Sequence, residues 1–248
     1  MNVRVNLQNV QPGIMGKMVL AIQTVAAAHH RGEIDIDKIT NLNFCCESQT
    51  DKDYFNYVLD QRDVTTFDKI YKWQVYPQLA DISSHNDFPL YKKIAEKINI
   101  KKQIFENIPK EIDEDTVGVH IRLTDMNSLH SRDYGCKTLD DYLEKLDEVI
   151  AKNNIKKVFI ASDNLESISK IKSKYDIIVN NITTRNKLEV DSGYNNFLRK
   201  NHNDFDLWHS TFVDSMSLSR CGFIIKGVSS FSNISIIFSS TIKRVYTV

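Results

Sequence analysis

Glycine and proline are scarce in this chain: 8 Gly and 4 Pro among 248 residues, against average shares of about 7% and 5%. That scarcity excludes collagen-like segments, Gly-rich low-complexity tracts and long flexible linkers. Net charge is also missing, since 32 Lys+Arg are balanced by 32 Asp+Glu. A neutral chain without a basic–aromatic stripe does not suit a protein that grips nucleic acid through its phosphates. No apolar run is long and clean enough to span a bilayer. Residues 14–28 are too short and contain Lys17, and residues 222–240 are interrupted by Lys226 and a run of serines. The opening MNVRVNLQNV lacks the basic-then-apolar order of a signal peptide. The expectation is a cytoplasmic protein whose contact with a membrane, if it makes one, is peripheral. There are 4 cysteines, with no C-x-x-C pair. Cys45 and Cys46 lie together in an apolar run, so buried free thiols in a reducing compartment are expected over a bridge. The sequons at Asn181 and Asn233 carry little weight without a secretory signal.

What is present is ordinary for a globular α/β protein: 42% hydrophobic and 26% charged residues. The second half alternates strands and helices clearly. Residues 115–121 (DTVGVHI) predict a buried strand, and Thr138 opens a helix whose apolar residues Tyr142, Leu146 and Val149 follow a 3.6 period. Strands at 157–161, 176–179 and 222–226 alternate with helices at 164–174, 205–220 and 230–239. This is the pattern of βαβ units around a parallel sheet. The first half predicts strands near 3–7 and 42–46, a helix over 14–30, broken helix over 54–76 and a helix over 89–100. Apolar content drops and acidic residues cluster at KEIDED (110–115). The expected architecture is therefore two Rossmann-like α/β lobes, residues 1–110 and 111–248, with a ligand cleft at the carboxyl ends of their strands.

Four junctions carry candidate chemistry. PGIMGK (Pro12–Lys17) places Gly13, Gly16 and Lys17 between a strand and a helix, where the backbone can approach an anion closely. It completes neither a Walker A loop nor a G-x-G-x-x-G fingerprint, and a plain tight turn explains it equally well. HIRLTD (His120–Asp125) ends a buried strand. His120 and Arg122 share a face there, and a guanidinium at that edge can grip a diphosphate bidentately. A salt bridge from Arg122 to Asp125 or Asp163 is the structural alternative. IASDN brings Ser162 and Asp163 to the next strand-to-helix junction, where helix capping alone accounts for them. VSSFSN places Ser229, Ser230, Phe231 and Ser232 at a helix start. One serine there caps the helix, and consecutive hydroxyls suit a phosphate cradle.

Metal sites are not expected. The D-x-D pairs at 35/37, 51/53, 113/115 and 204/206 read as helix starts or solvated loops. The adjacent His29 and His30 lack i, i+4 pairing and read as helix-end residues.

Three of these stretches, PGIMGKMVLAIQTVAAAHHRG, VGVHIRLTD and FVDSMSLSRCGFIIKGVSSFSNISIIFS, together resemble the GDP-fucose-dependent fucosyltransferase superfamily. That superfamily comprises α1,2-, α1,6- and protein O-fucosyltransferases of GT-B fold. VGVHIRLTD resembles the family's H-x-R-R-x-D motif, with Leu123 where the family carries a second Arg. The resemblance implies an inverting, metal-independent glycosyltransferase that takes a sugar nucleotide donor and a glycan acceptor and needs no further cofactor. It implies that Arg122 holds the β-phosphate and that Ser229, Ser230 and Ser232, with Phe231 in the same turn, surround the diphosphate. His120 and Asp163 would lie near the nucleoside, and Asp214 would support the sheet edge. Gly13, Gly16 and Lys17 would close over the donor from the opposite lobe. Asp125, His130 and Asp133, in the loop after Arg122, are the candidates for the catalytic base. Leu123 leaves open another donor, such as UDP-xylose or a different UDP- or GDP-sugar. A catalytically degenerate glycan- or nucleotide-binding protein is the non-enzymatic alternative.

Overall fold

The computed structural model describes residues 1–7, 14–45, 55–61, 66–72, 82–123, 137–162, 165–179 and 205–248. In the first half, β1 (Asn2–Asn6) alternates so that Val3 and Val5 are buried. Helix α1 (Ile14–His30) returns the chain to β2 (Asn41–Cys45), which pairs parallel with β1. The helix stops at Gly32, whose φ of 70° lets the Glu33 N–H reach back to the Ala28 carbonyl. A 3-10 turn (Ile36–Lys38) follows, capped by the Asp35 carboxylate, which accepts from the Asp37 N–H.

After the short α2 (Phe55–Val58), β3 (Lys69–Lys72) pairs parallel with the other side of β1, giving the order β2-β1-β3. Broken helix is the expectation over 54–76. Its four-residue strand KIYK is exposed at three positions, too short and too wet to show a period of two. The helix expected over 89–100 is α3 (Phe88–Ala95), followed separately by α4 (Lys102–Glu106). It ends early because residues 99–101 pair with the exit of α2. Asp60 donates its N–H to Asn99, Lys101 donates its N–H to Val58, and Leu59 bridges Ile100.

The second half forms a five-stranded, all-parallel sheet of order β6-β5-β4-β7-β8. Its elements in chain order are β4 (Thr116–Ile121), α5 (Leu139–Asn153), β5 (Lys157–Ser162), α6 (Leu165–Lys172) and β6 (Ile177–Ile178). They continue with α7 (Phe205–Arg220), β7 (Phe223–Lys226), α8 (Ser230–Phe238) and β8 (Arg244–Thr247). The edge strand β8 has no counterpart in the sequence reading, because RVYT is partly exposed throughout. Thr138 and Asp141 form a reciprocal capping box at the start of α5, and left-handed Asn154 (φ 52°) ends it.

Alternation along the strands sorts the core into two layers. Val117, Val119, Ile121, Ile160 and Ile225 face α5 and α6, packing on Tyr142, Leu146, Val149 and Ile171. The opposite face, including Phe159 and Ile224, belongs to a larger core built with α7 and α8. That second core does not stop at the sheet. It continues through α1, β1 and β2 to α3 and α4, so one apolar cluster runs from Val3 to Ile237. The seam is made by α8, which packs against α7, α1, α3 and the 3-10 turn Ile82–Ser84. Among the described residues no helix is long and apolar enough to cross a membrane.

Candidate functional site

Strand β4 is buried at all six positions, in the middle of its sheet. From β4 the chain builds outward through β5 to β6, then crosses to β7 on β4's other side. The order therefore reverses between β4 and β7, and at such a point the carboxyl ends of two neighbouring strands leave a crevice for a ligand. His120 and Arg122 come from the β4 side, and the turn from Lys226 to Ser230 comes from the β7 side.

His120 sits opposite Ala161 of β5 and Lys226 of β7. It is 7% exposed, and its ring stacks on Phe231 with centroids 4.6 Å apart and planes 25° apart. Two residues far apart in sequence are thereby locked across the switch point. Arg122 leaves the strand half-buried. Leu123 packs against the apolar layer under α5.

The β7–α8 turn is organised by Ser229, an extended N-cap whose hydroxyl accepts from the Phe231 N–H at 3.3 Å. The Ser229 carbonyl accepts from the Ser232 hydroxyl at 3.1 Å and from the Asn233 N–H. Ser232 is fully buried. The Ser235 hydroxyl donates to the Phe231 carbonyl and lies 3.0 Å from that of Ser215 on α7. Ser229 and Ser232 thus shape the helix start from within, and Ser230 is the serine of the three that is partly exposed. Ser162 ends β5 opposite Ile121, and Asp214 of α7 is buried.

Lys226 is the residue the sequence reading passed over. It shows no exposed surface, and its Nζ donates to the Gly227 carbonyl at 3.3 Å. The signal was available: a parallel strand covered on both faces buries its last residue as well as its middle, so a lysine closing FIIK had to be buried.

Gly16 and Lys17 lie in the first turn of α1, at the carboxyl edge of the three-stranded sheet, on the helix that packs against α8. Gly13, Asp125, His130, Asp133 and Asp163 lie outside the described residues. Cys45 and Cys221 are buried free thiols, whereas Cys46 and Cys136 lie outside the description. Burial pushes the Cys221 thiol far up, so it stays protonated. Cys45 receives a hydrogen bond from Arg4 Nη2 at 2.8 Å.

Two D-x-D pairs resolve as turns. Asp35 accepts from the Asp37 N–H, while Asp113 accepts from the Asp115 N–H at 3.0 Å and pairs with Lys157. His29 meets the Ile34 carbonyl and His30 meets Asp87, both within 3.1 Å. Among the described residues no group of three His, Cys, Asp or Glu gathers as a metal site.

Two all-parallel sheets, of order 2-1-3 and 3-2-1-4-5, define an α/β fold of two parallel-sheet units, a fold found also in solved fucosyltransferases. The particular structures it resembles are these. Over 96% of this chain and 93% of the other it is similar to the crystal structure of NodZ alpha-1,6-fucosyltransferase soaked with GDP-fucose, with a TM-score of 0.56 and 11% identity. The fucosyltransferase NodZ from Bradyrhizobium matches over 96% and 94% of the two chains, with a TM-score of 0.56 and 12% identity. POFUT1 in complex with GDP-fucose matches over 99% and 97%, with a TM-score of 0.53 and 11% identity. No family model and no curated protein matches the sequence itself. The likeness is one of fold.

Proposed function

We propose that this protein is an inverting, metal-independent glycosyltransferase that moves fucose from GDP-fucose to a hydroxyl of a glycan. The supporting observation is the placement of Arg122. It follows the central strand at the switch point, and two residues before it His120 stacks on Phe231 of the helix start that Ser229 caps. In that reading residues 111–248 bind the donor and residues 1–110 face the acceptor.

The chemistry follows from charge. An acceptor hydroxyl attacks the anomeric carbon in line while the bond to the departing GDP breaks through an oxocarbenium-like state. Negative charge grows on the diphosphate, and a preorganised guanidinium with the N–H groups of a helix start stabilises it without reorganising. This is the role that a divalent cation fills in other glycosyltransferases. Ser230 and the amides of the turn would cradle the diphosphate, and Phe231 with His120 would border the nucleoside. A base drawn from Asp125, His130 or Asp133 would accept the hydroxyl proton. Gly13, Gly16 and Lys17 would cover the donor from the other lobe, and Asp163 would reach the nucleoside from β5.

Calorimetry and turnover test the reading. GDP and GDP-fucose should bind equally with and without EDTA, and Arg122→Ala should cut turnover by about 10²–10³-fold. Leu123 supports a second reading, with the same fold and another sugar nucleotide, because that position supplies packing instead of charge. Binding of a UDP-sugar such as UDP-xylose in place of guanine nucleotides would select it. Nucleotide binding with no turnover across a broad acceptor panel would identify a binding protein.

A further inference from the structure

We propose that β8 is an interface: two copies of this chain pair antiparallel through its outer edge, joining their five-stranded sheets across a two-fold axis. The inference stands on the sheet edges alone and is independent of the donor-site reading.

A sheet edge presents a row of unpaired N–H and C=O groups, and folded chains blunt such edges by shortness, charge or cover. Three of the four edges in this fold are blunted in one of these ways. On β2 the outward Phe44 N–H donates to the Gln61 side chain at 2.6 Å. Strand β3 is bounded by Lys69 and Lys72, both exposed. Strand β6 is two residues long. The edge at β8 is the exception.

The backbone bonds of β8 show which of its groups are left over. The Arg244 N–H donates to the Gly222 carbonyl, and the Val248 N–H donates to the Lys226 carbonyl. In a parallel ladder with that phase, residues 244, 246 and 248 turn their backbone groups toward β7, and Val245 and Thr247 turn theirs away. Among the described residues nothing pairs with these outward groups. The two cations at the head of the strand are drawn back onto their own chain. Lys243 reaches Asp115 at 3.1 Å, and Arg244 lies over the Tyr246 ring, 5.2 Å from its centroid. A partly exposed apolar strip of Ile242, Val245 and Tyr246 completes the edge.

That edge is complementary to itself. With the axis at Tyr246, Val245 lies opposite the partner's Thr247, and Thr247 opposite the partner's Val245. Each such pair exchanges both of its N–H···O=C bonds, so every outward group of the strand is satisfied. Tyr246 meets the partner's Tyr246 at a non-hydrogen-bonded position, where opposite side chains approach most closely and an aromatic pair is favourable. Arg244 falls opposite the partner's Val248, so no like charges face each other. The same operation centred on KIYK of β3 would set Lys69 against the partner's Lys72, a repulsive pairing. Complementarity of register and charge thus selects β8, and selects a second copy as its occupant.

Sedimentation equilibrium of the full chain at micromolar concentration tests the proposal. Wild type and Thr247→Val should sediment at twice the chain mass. Thr247→Pro removes an outward N–H and no bond to β7, and should raise the dimer dissociation constant by roughly tenfold or more. A wild type that stays monomeric, or a Thr247→Pro protein as dimeric as wild type, overturns the proposal. Should Thr247→Pro not fold, amide exchange of wild type supplies the second reading. The Val245 and Thr247 amides should be protected at high protein concentration and exchange freely on dilution, while those of Arg244 and Tyr246 stay protected at both. Free exchange of Val245 and Thr247 at every concentration, or their protection in the monomer, refutes the proposal.

Discussion

Alanine at Gly227 probes the turn from the side opposite Lys226. A Cβ built there falls 2.6 Å from Tyr142 Oη and 3.8 Å from its Cζ. Tyr142 lies in the first turn of α5 and is 3% exposed, packed in the layer that faces Ile225, so its ring has no route into water. Gly227 is not among the positive-φ positions, so an alanine backbone is tolerated there. The whole cost is a methyl pressed against one hydroxyl. Over-packing of this size destabilises by about 1–3 kcal/mol. Tyr142→Phe alone loses what the hydroxyl contributes, about 1 kcal/mol. In the double variant the colliding atom is gone, and the pair should be about 1–2 kcal/mol more stable than the two single effects added together. Urea melts of the four proteins measure that coupling, and a GDP titration of each asks whether the turn has moved. If the effects add to within about 0.5 kcal/mol, the Tyr142 hydroxyl does not press on Gly227 and the turn is not closely packed against α5.

Gly222→Ala should be far worse, because its Cβ falls 1.8 Å from the Glu114 carbonyl oxygen, a backbone atom with no rotamer to yield. Gly222 is also held by hydrogen bonds to Thr116, Lys243 and Arg244. A loss of about 4 kcal/mol or more in urea melts is expected, and a variant of near-native stability contradicts it. Acid stability should depend on Asp113. Its carboxyl is held below the usual carboxylate range chiefly by the hydrogen bond from Lys157, and then by the Asp115 N–H and the Thr116 hydroxyl. The folded pKa is lowered, so its contribution is complete above the unfolded value and disappears as pH falls through the folded one. Asp113→Asn should flatten that acid limb in pH-dependent melts, and an unchanged limb rejects the assignment.

The parts of the fold that were legible in the sequence have strong periods. The span 205–220 matches α7, and Tyr142, Leu146 and Val149 mark the buried face of α5 because an amphipathic helix repeats its apolar residues. Strands β3 and β8 were not legible, since four-residue edge strands with wet faces carry no alternation to read. Helix α3 looked longer than it is because pairing of residues 99–101 with 58–60 is a tertiary effect. At the site, alternation alone placed His120 and Arg122 at a strand's end. Ser232 shows the limit of composition as a guide. Its hydroxyl suggests a ligand contact, whereas in the fold it donates to the Ser229 carbonyl inside the helix. Lys226 shows the converse, a residue type read as surface that topology places in the interior.

The embedding of α8 has a consequence for how the crevice is held. Its buried residues Ser232 to Ile237 fill the space between the two sheets, and its first turn forms one wall of the crevice. That wall cannot loosen on its own, because freeing it means dissolving the apolar seam that joins the two halves. The entropy of ordering Ser229 and Phe231 is accordingly settled when the chain folds and is not charged again when a ligand arrives. Amide hydrogens along α8 should then exchange only through global opening, as slowly as any in the molecule.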